Sequence, residues 1–109
     1  AVRSVERAIA YIGEHYKEKI TAPDIAEAVG LSVNYLHRIF EKVKGMTLIN
    51  YLTAYRMEKA RNLIEAGDAP AYEIAAEVGY TDPFYFSRVF RGATGISFSE
   101  YKKQIHRRS

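Results

Sequence analysis

Asn34, His37 and Arg38 stand three and four positions apart, a spacing that a helix turns into one polar face, and Phe84, Ser87 and Arg88 repeat it fifty residues further on. An asparagine amide offers a donor and an acceptor matched to the adenine edge, and an arginine fork matches guanine. Residues of these types on an outward helix face point to reading of base edges. Each has a competing explanation. Arg38 can form a surface ion pair with Glu41 or Glu27, His37 can be a solvated helix residue, and Phe84 can either touch a thymine methyl or pack against Tyr80. Ser32 and Thr81, near the starts of the helices that would carry these residues, together with Lys42 and Lys44, are candidates for phosphate oxygens.

Other chemistry finds little support. Asp24, Glu27, Glu73 and Glu77 read as caps or helix-surface acids, and no nucleophile stands at a defined spacing from a base, so no enzymatic activity is expected. His15, His37 and His106 are too scattered for a metal site. No glycine-rich phosphate loop is present and there is no Cys, which leaves no metal, cofactor or disulfide to expect. A net charge of +3 is a modest basic excess that suits a polyanion partner without identifying one. No apolar run reaches the length of a membrane span, and Arg3, Glu6 and Arg7 interrupt the N-terminal stretch where a signal peptide needs an apolar core. A cytoplasmic setting is the expectation.

The elements that must position the polar sets can be read from periodicity. Thr47 to Ala66 places Leu48, Leu52, Tyr55, Met57, Ala60, Leu63 and Ile64 at helical spacing with no Gly or Pro between them. This predicts a helix roughly 30 Å long, capped by Thr47 and stopped by Gly67, Asp68 and Pro70. Arg56 is assigned a structural role on it, and Lys59 and Arg61 a solvated face shared with Glu58 and Glu65. Before it, a first helix is expected from Ser4, ending near Lys17 to Lys19, with Val5, Ala8, Ile9 and Ile12 inward. Thr21 and Asp24 form a capping box for a short helix Ala22 to Val29. Ser32 caps the next one, which runs to Lys44 with Leu36, Ile39, Phe40 and Val43 inward. The last helix is expected from Ser97 to Ile105, with His106 to Ser109 frayed.

The segments on either side of the long helix repeat one another. Ile74-Ala75-x-x-Val78-Gly79 matches Ile25-Ala26-x-x-Val29-Gly30, and Tyr85-Phe86-Ser87-Arg88-Val89-Phe90 matches Tyr35-Leu36-His37-Arg38-Ile39-Phe40. The second copy has one extra residue between Gly79 and the cap Asp82, ahead of Pro83. Ala26 and Ala75 are expected to face the turn glycines Gly30 and Gly79, so that two helices cross where a larger side chain would clash. Two short helices joined by such a turn form a helix-turn-helix, whose second helix enters the major groove. The sequence therefore divides into a first subdomain at 1–46, a linker helix at 47–66 and a second subdomain at 67–109, all helical.

These residues resemble the DNA-binding domain of the AraC/XylS family of bacterial transcription regulators. The resemblance runs from about Ala8 to Lys103 and rests on Ile25 to Ser32, Leu36-x-Arg38-x-Phe40, Gly45-x-Thr47, Tyr51, Arg56-x-x-x-Ala60-x-x-Leu63-Ile64, Glu73 to Tyr80, Phe84 to Phe90 and Gly95. It implies seven helices, two of them recognition helices in successive major grooves of promoter DNA, and base contacts at Asn34, His37 and Arg38. The chain departs from the family pattern at Phe98, where proline is usual, and at Lys102, where arginine is usual and which is carried over as a phosphate contact. RNA polymerase is a second candidate partner. The domain is expected to be monomeric in isolation and to belong to a longer regulator with a sensor or dimerisation part. Two rival classes are an all-helical protein-interaction module, which leaves the duplicated glycines and arginines unexplained, and an enzyme, which would need a pocket holding a perturbed acid or base.

Overall fold

The computed structural model describes residues 1–107. Within them the chain forms seven helices and no strand: α1 (Val2–His15), α2 (Ala22–Val29), α3 (Val33–Lys44), α4 (Leu48–Ala66), α5 (Ala71–Glu77), α6 (Pro83–Thr94) and α7 (Phe98–Arg107). They make two compact units, the first ending at Thr53 and the second beginning at Ala54, so the boundary falls inside α4. The segment expected as a linker is one unbroken helix, and its two parts supply core residues to different units.

In the first unit α1 packs on α2 and α3. Val5, Ala8 and Ile12 meet Ile25, Ala26, Leu36, Ile39 and Phe40 in a core that α4 completes with Leu48 and Leu52, all buried. Phe40 stands edge-on to Tyr51 at 5.4 Å. The capping signals act as expected. Thr21 Oγ1 accepts from the Asp24 amide and Asp24 returns the bond to the Thr21 amide. Ser32 Oγ accepts from the Tyr35 amide, and Thr47 Oγ1 from the Asn50 amide.

Two expectations need correction here. Val43 is 37% exposed and does not face the core; it sits in the last turn of α3, past the stripe set by Leu36, Ile39 and Phe40. Gly30 is not required by a close helix crossing, because a Cβ built on it would meet nothing within 4 Å. Its need is conformational: φ is +73°, the left-handed region that lets its amide reach the Ala26 and Glu27 carbonyls and end α2.

The second unit repeats the plan with a more aromatic core. Ile74 and Ala75 of α5 and Val78, which follows it, meet Phe86 and Phe90 of α6, and Phe98 of α7 is buried against both phenylalanines at 6.0 and 5.7 Å. Phe98 therefore fills core space where the family usually has proline. From α4 come Met57, Ala60 and Ile64, together with Arg56, which is 8% exposed and lies 5.2 Å from the Tyr80 ring centre. That placement agrees with a structural role for Arg56. Arg61 pairs with Glu58 at 4.0 Å along the exposed face.

The end of α4 is held from α7. Lys102 Nζ contacts Asp68 Oδ1 at 3.0 Å and donates to the carbonyls of Asp68 and Ala69. His106 Nε2 donates to the carbonyls of Ile64 and Gly67, which fixes the ring proton on that nitrogen because carbonyls only accept. His106 is thus held in a helix where fraying was expected; Arg108 and Ser109 lie outside the described residues. His106 thus reaches the Ile64 carbonyl, one of those the last turn of α4 leaves without a helical partner, while Lys102 holds the connection that follows the helix.

The Lys102 ammonium, by hydrogen bond and by charge, holds the Asp68 carboxyl below its ordinary value of 3.8; slight desolvation opposes this and His106 adds a smaller pull. A carboxylate whose pKa is depressed in the folded state stabilises the fold above its unfolded pKa, and loses that contribution as pH falls through the folded value. Asp68→Asn is therefore expected to melt slightly below the parent at neutral pH. The two curves should converge as pH drops below 3.8, and added salt should shrink the gap because Asp68 is exposed. Thermal unfolding across the acid range checks this.

Candidate nucleic-acid interface

Each polar set lands on the outer face of the second helix of its hairpin. On α3, Asn34 and Arg38 are exposed and His37 is partly so, while Leu36, Ile39 and Phe40 point into the core. On α6, Phe84 and Arg88 are exposed and Ser87 partly so, opposite Phe86 and Phe90. Phe84 is 77% exposed. Its ring is therefore open to solvent, while the rings of Tyr85 and Phe86 lie near Tyr80, so a large apolar surface is presented at the start of α6. The Phe84 amide is capped by Asp82 Oδ1 at 2.9 Å, which fixes the helix start from which that ring projects.

Neither arginine hangs free. The Arg38 guanidinium carbon lies 5.4 Å from the Tyr35 ring centre, and Arg88 lies 5.7 Å from Tyr85. Both pairs are separated by three residues on their helix, where side chains are neighbours. Tyr35 and Tyr85 were not singled out from the sequence, although an aromatic residue three positions before the arginine in both copies was a readable signal.

The phosphate candidates divide. Ser32 and Thr81 are exposed, and the Ser32 oxygen that accepts the helix amide keeps its O–H to donate. Lys42 and Lys44 are exposed in the last turn of α3, with the Lys44 ammonium 5.8 Å from the Tyr51 ring centre. Lys102 is the exception. Its ammonium is directed at Asp68 and Ala69 within its own unit, so in this structure it is engaged with the segment that follows α4. Arg91, one position past the matched motif and not singled out in the sequence, is a further basic residue on the outer side of α6. Arg91 lines an open cleft of about 350 Å³ with Ser87, Arg88, Ser97 and Ser99, between the outer side of α6 and the start of α7. Among the described residues no group of His, Asp and Glu could hold a metal ion, and no helix is long and apolar enough to cross a membrane.

Two hairpins of this form, each with a polar second helix over an apolar first, define a tandem helix-turn-helix protein. A family model described as a helix-turn-helix domain matches residues 25–104, and the chain belongs to that AraC-type family of transcription regulators. The lactose operon transcription activator of Staphylococcus xylosus is 34% identical over 98 residues, covering 90% of this chain and 35% of the relative. Among solved structures, the C-terminal domain of AraT, a response regulator from Geobacillus stearothermophilus, superposes with a TM-score of 0.90 at 37% identity, covering 93% of this chain and 84% of that one. The DNA-binding domain of AdpA, solved in complex with a target DNA, also gives 0.90, covering 95% and 94%; at 24% identity it supports the fold alone. The chain spans about a third of the length of the curated relatives it matches.

Proposed function

We propose that this chain binds double-stranded promoter DNA sequence-specifically, with α3 and α6 as recognition helices in successive major grooves, and that it is the DNA-reading part of a longer bacterial transcription regulator. The observation that carries this reading is the repeated outward display, Asn34, His37 and Arg38 on one helix and Phe84, Ser87 and Arg88 on the other. Asn34 and Arg38 have the geometry to read adenine and guanine edges, Phe84 offers its ring to a thymine methyl, and Arg88 reads a base or holds a phosphate. Ser32, Thr81, Lys42, Lys44 and Arg91 contact phosphates and set the register. The isolated domain works as a monomer in the cytoplasm, RNA polymerase is a further partner, and a sensor or dimerisation part lies elsewhere in the longer protein.

Selection of bound sequences from a random duplex pool, followed by hydroxyl-radical footprinting on the winner, tests the reading. Protection on one face over about two helical turns is expected. Weak binding without sequence preference and with little salt dependence would favour the protein-interaction module instead. Within the selected site, Arg38→Ala is expected to cost about 1–3 kcal/mol and to flatten preference at one base pair. Uniform weakening across all substituted sites would move Arg38 to a phosphate.

A further inference from the structure

We infer that Tyr35 and Tyr85 are positioning residues that hold Arg38 and Arg88 in the extended pose required at the groove; this rests on the DNA-reading role proposed above for those arginines. Three observations converge. The stack occurs in both copies, at 5.4 and 5.7 Å and with the same three-residue separation. The tyrosines are 41% and 50% exposed, so neither ring is enclosed by the core and each keeps a face open at the helix surface. The arginines they touch are themselves exposed, where a flexible side chain would otherwise sample many rotamers before binding. An aromatic face beneath a guanidinium narrows that sampling while leaving the N–H donors, which lie in the guanidinium's own plane, free to point outward. Less freedom then remains to be lost when the base is met.

The two devices are not equally braced. Tyr85 lies 5.9 Å from Tyr80, which in turn lies 5.6 Å from Phe86 and carries the Arg56 guanidinium at 5.2 Å. Arg88, Tyr85, Tyr80 and Arg56 thus form a chain of contacts, two rings between two guanidinium groups, that runs from the surface of the second unit into its core. The position matching Tyr80 in the first copy is Leu31, which offers no ring to Tyr35. Arg88 is therefore the more rigidly set of the two arginines.

The test compares Tyr35→Phe, which keeps the ring, with Tyr35→Leu, which removes it, in the 109-residue chain. Affinity is measured for the selected site and for sites substituted at the base pair assigned to Arg38. Tyr35→Leu is expected to lower affinity for the selected site about two- to fivefold and to reduce the preference by a similar factor, whereas Tyr35→Phe should stay near the parent. The Arg38 side-chain resonances of the free protein should show a ring-current shift that Tyr35→Leu abolishes and Tyr35→Phe retains. In the Arg38→Ala background Tyr35→Leu should do nothing further. If Tyr35→Leu weakens binding as much without Arg38 as with it, Tyr35 contacts DNA itself and the positioning role is wrong. If Arg38→Ala flattens preference while Tyr35→Leu, folded by circular dichroism, leaves it intact, the role is wrong as well. If Arg38→Ala leaves preference unchanged, it is the base-reading assignment that fails. The pair Tyr85→Phe and Tyr85→Leu repeats the test on α6.

Discussion

Phe86→Ala should destabilise the second unit by about 3–5 kcal/mol and abolish binding to the two-groove site while leaving every proposed DNA contact in the sequence. Phe86 has no exposed surface and meets the rings of Tyr80, Phe90 and Phe98 at 5.6, 5.9 and 6.0 Å. Truncation removes the buried ring, leaves a cavity that helices anchored at both ends cannot fill, and ends three aromatic contacts at once. Set against the ~5–15 kcal/mol total of a typical domain, the loss is large, and the melting midpoint should fall by roughly 12–40 °C. Hydrogen exchange supplies the discriminating reading. Amides of α6 should lose protection before those of α3, because Leu36 and Phe40 hold α3 in a separate core. Equal loss along the whole chain would mean that the two cores are energetically one. A fall of only a degree or two would mean that the site collapses around the missing ring.

The elements were legible because their signals are local. Capping boxes, left-handed glycines and helical periodicity act within four residues, and Thr21, Ser32, Thr47 and Asp82 cap where the sequence placed them. The internal repeat made the outward sets readable too, since one copy checks the other. What the sequence left unread depended on contacts between distant residues. Lys102 and His106 carry no local sign that α4 will end beside them, 33 to 42 positions away in sequence; a basic residue on a terminal helix looks the same whether it faces a phosphate or a carbonyl. The misassigned role of Gly30 has a different origin. A small residue in a helix hairpin fits both a steric and a conformational explanation, and only the positive φ together with the open space around it separates them. Phe84 shows the same ambiguity from the other side, because an aromatic residue at a helix start can pack inward or project outward. Here Tyr85 and Phe86 are the rings set against Tyr80, and Phe84 is left in solvent.

An alanine inserted between Thr53 and Ala54 is expected to lower affinity for the unaltered site by roughly a hundredfold or more, the scale set by losing one of two linked binding modules. Among the described residues α4 is the helix that the boundary between the two units divides, and the proposal of successive grooves makes it the spacer between α3 and α6. One added helical residue shifts everything after it by 1.5 Å and turns it by about 100°. The point of insertion matters. Between Glu58 and Lys59 it would also turn Ala60 and Ile64 away from Arg56 and Met57, and all four are buried in the same unit, so lost binding would be confounded with lost folding. At 53/54 each unit keeps its own core residues, Leu48 and Leu52 on one side and Met57, Ala60 and Ile64 on the other. The variant should therefore unfold near the parent temperature, and its footprint should shrink from about two turns to one. Asn62→Ala, at an exposed position that leaves the helix phase unchanged, is the control and should bind like the parent. Should the folded insertion variant keep near-parental affinity and a two-turn footprint on the same site, α4 does not set the phase of the two helices. The units would then dock independently, and the proposal of a rigidly spaced pair would have to be abandoned.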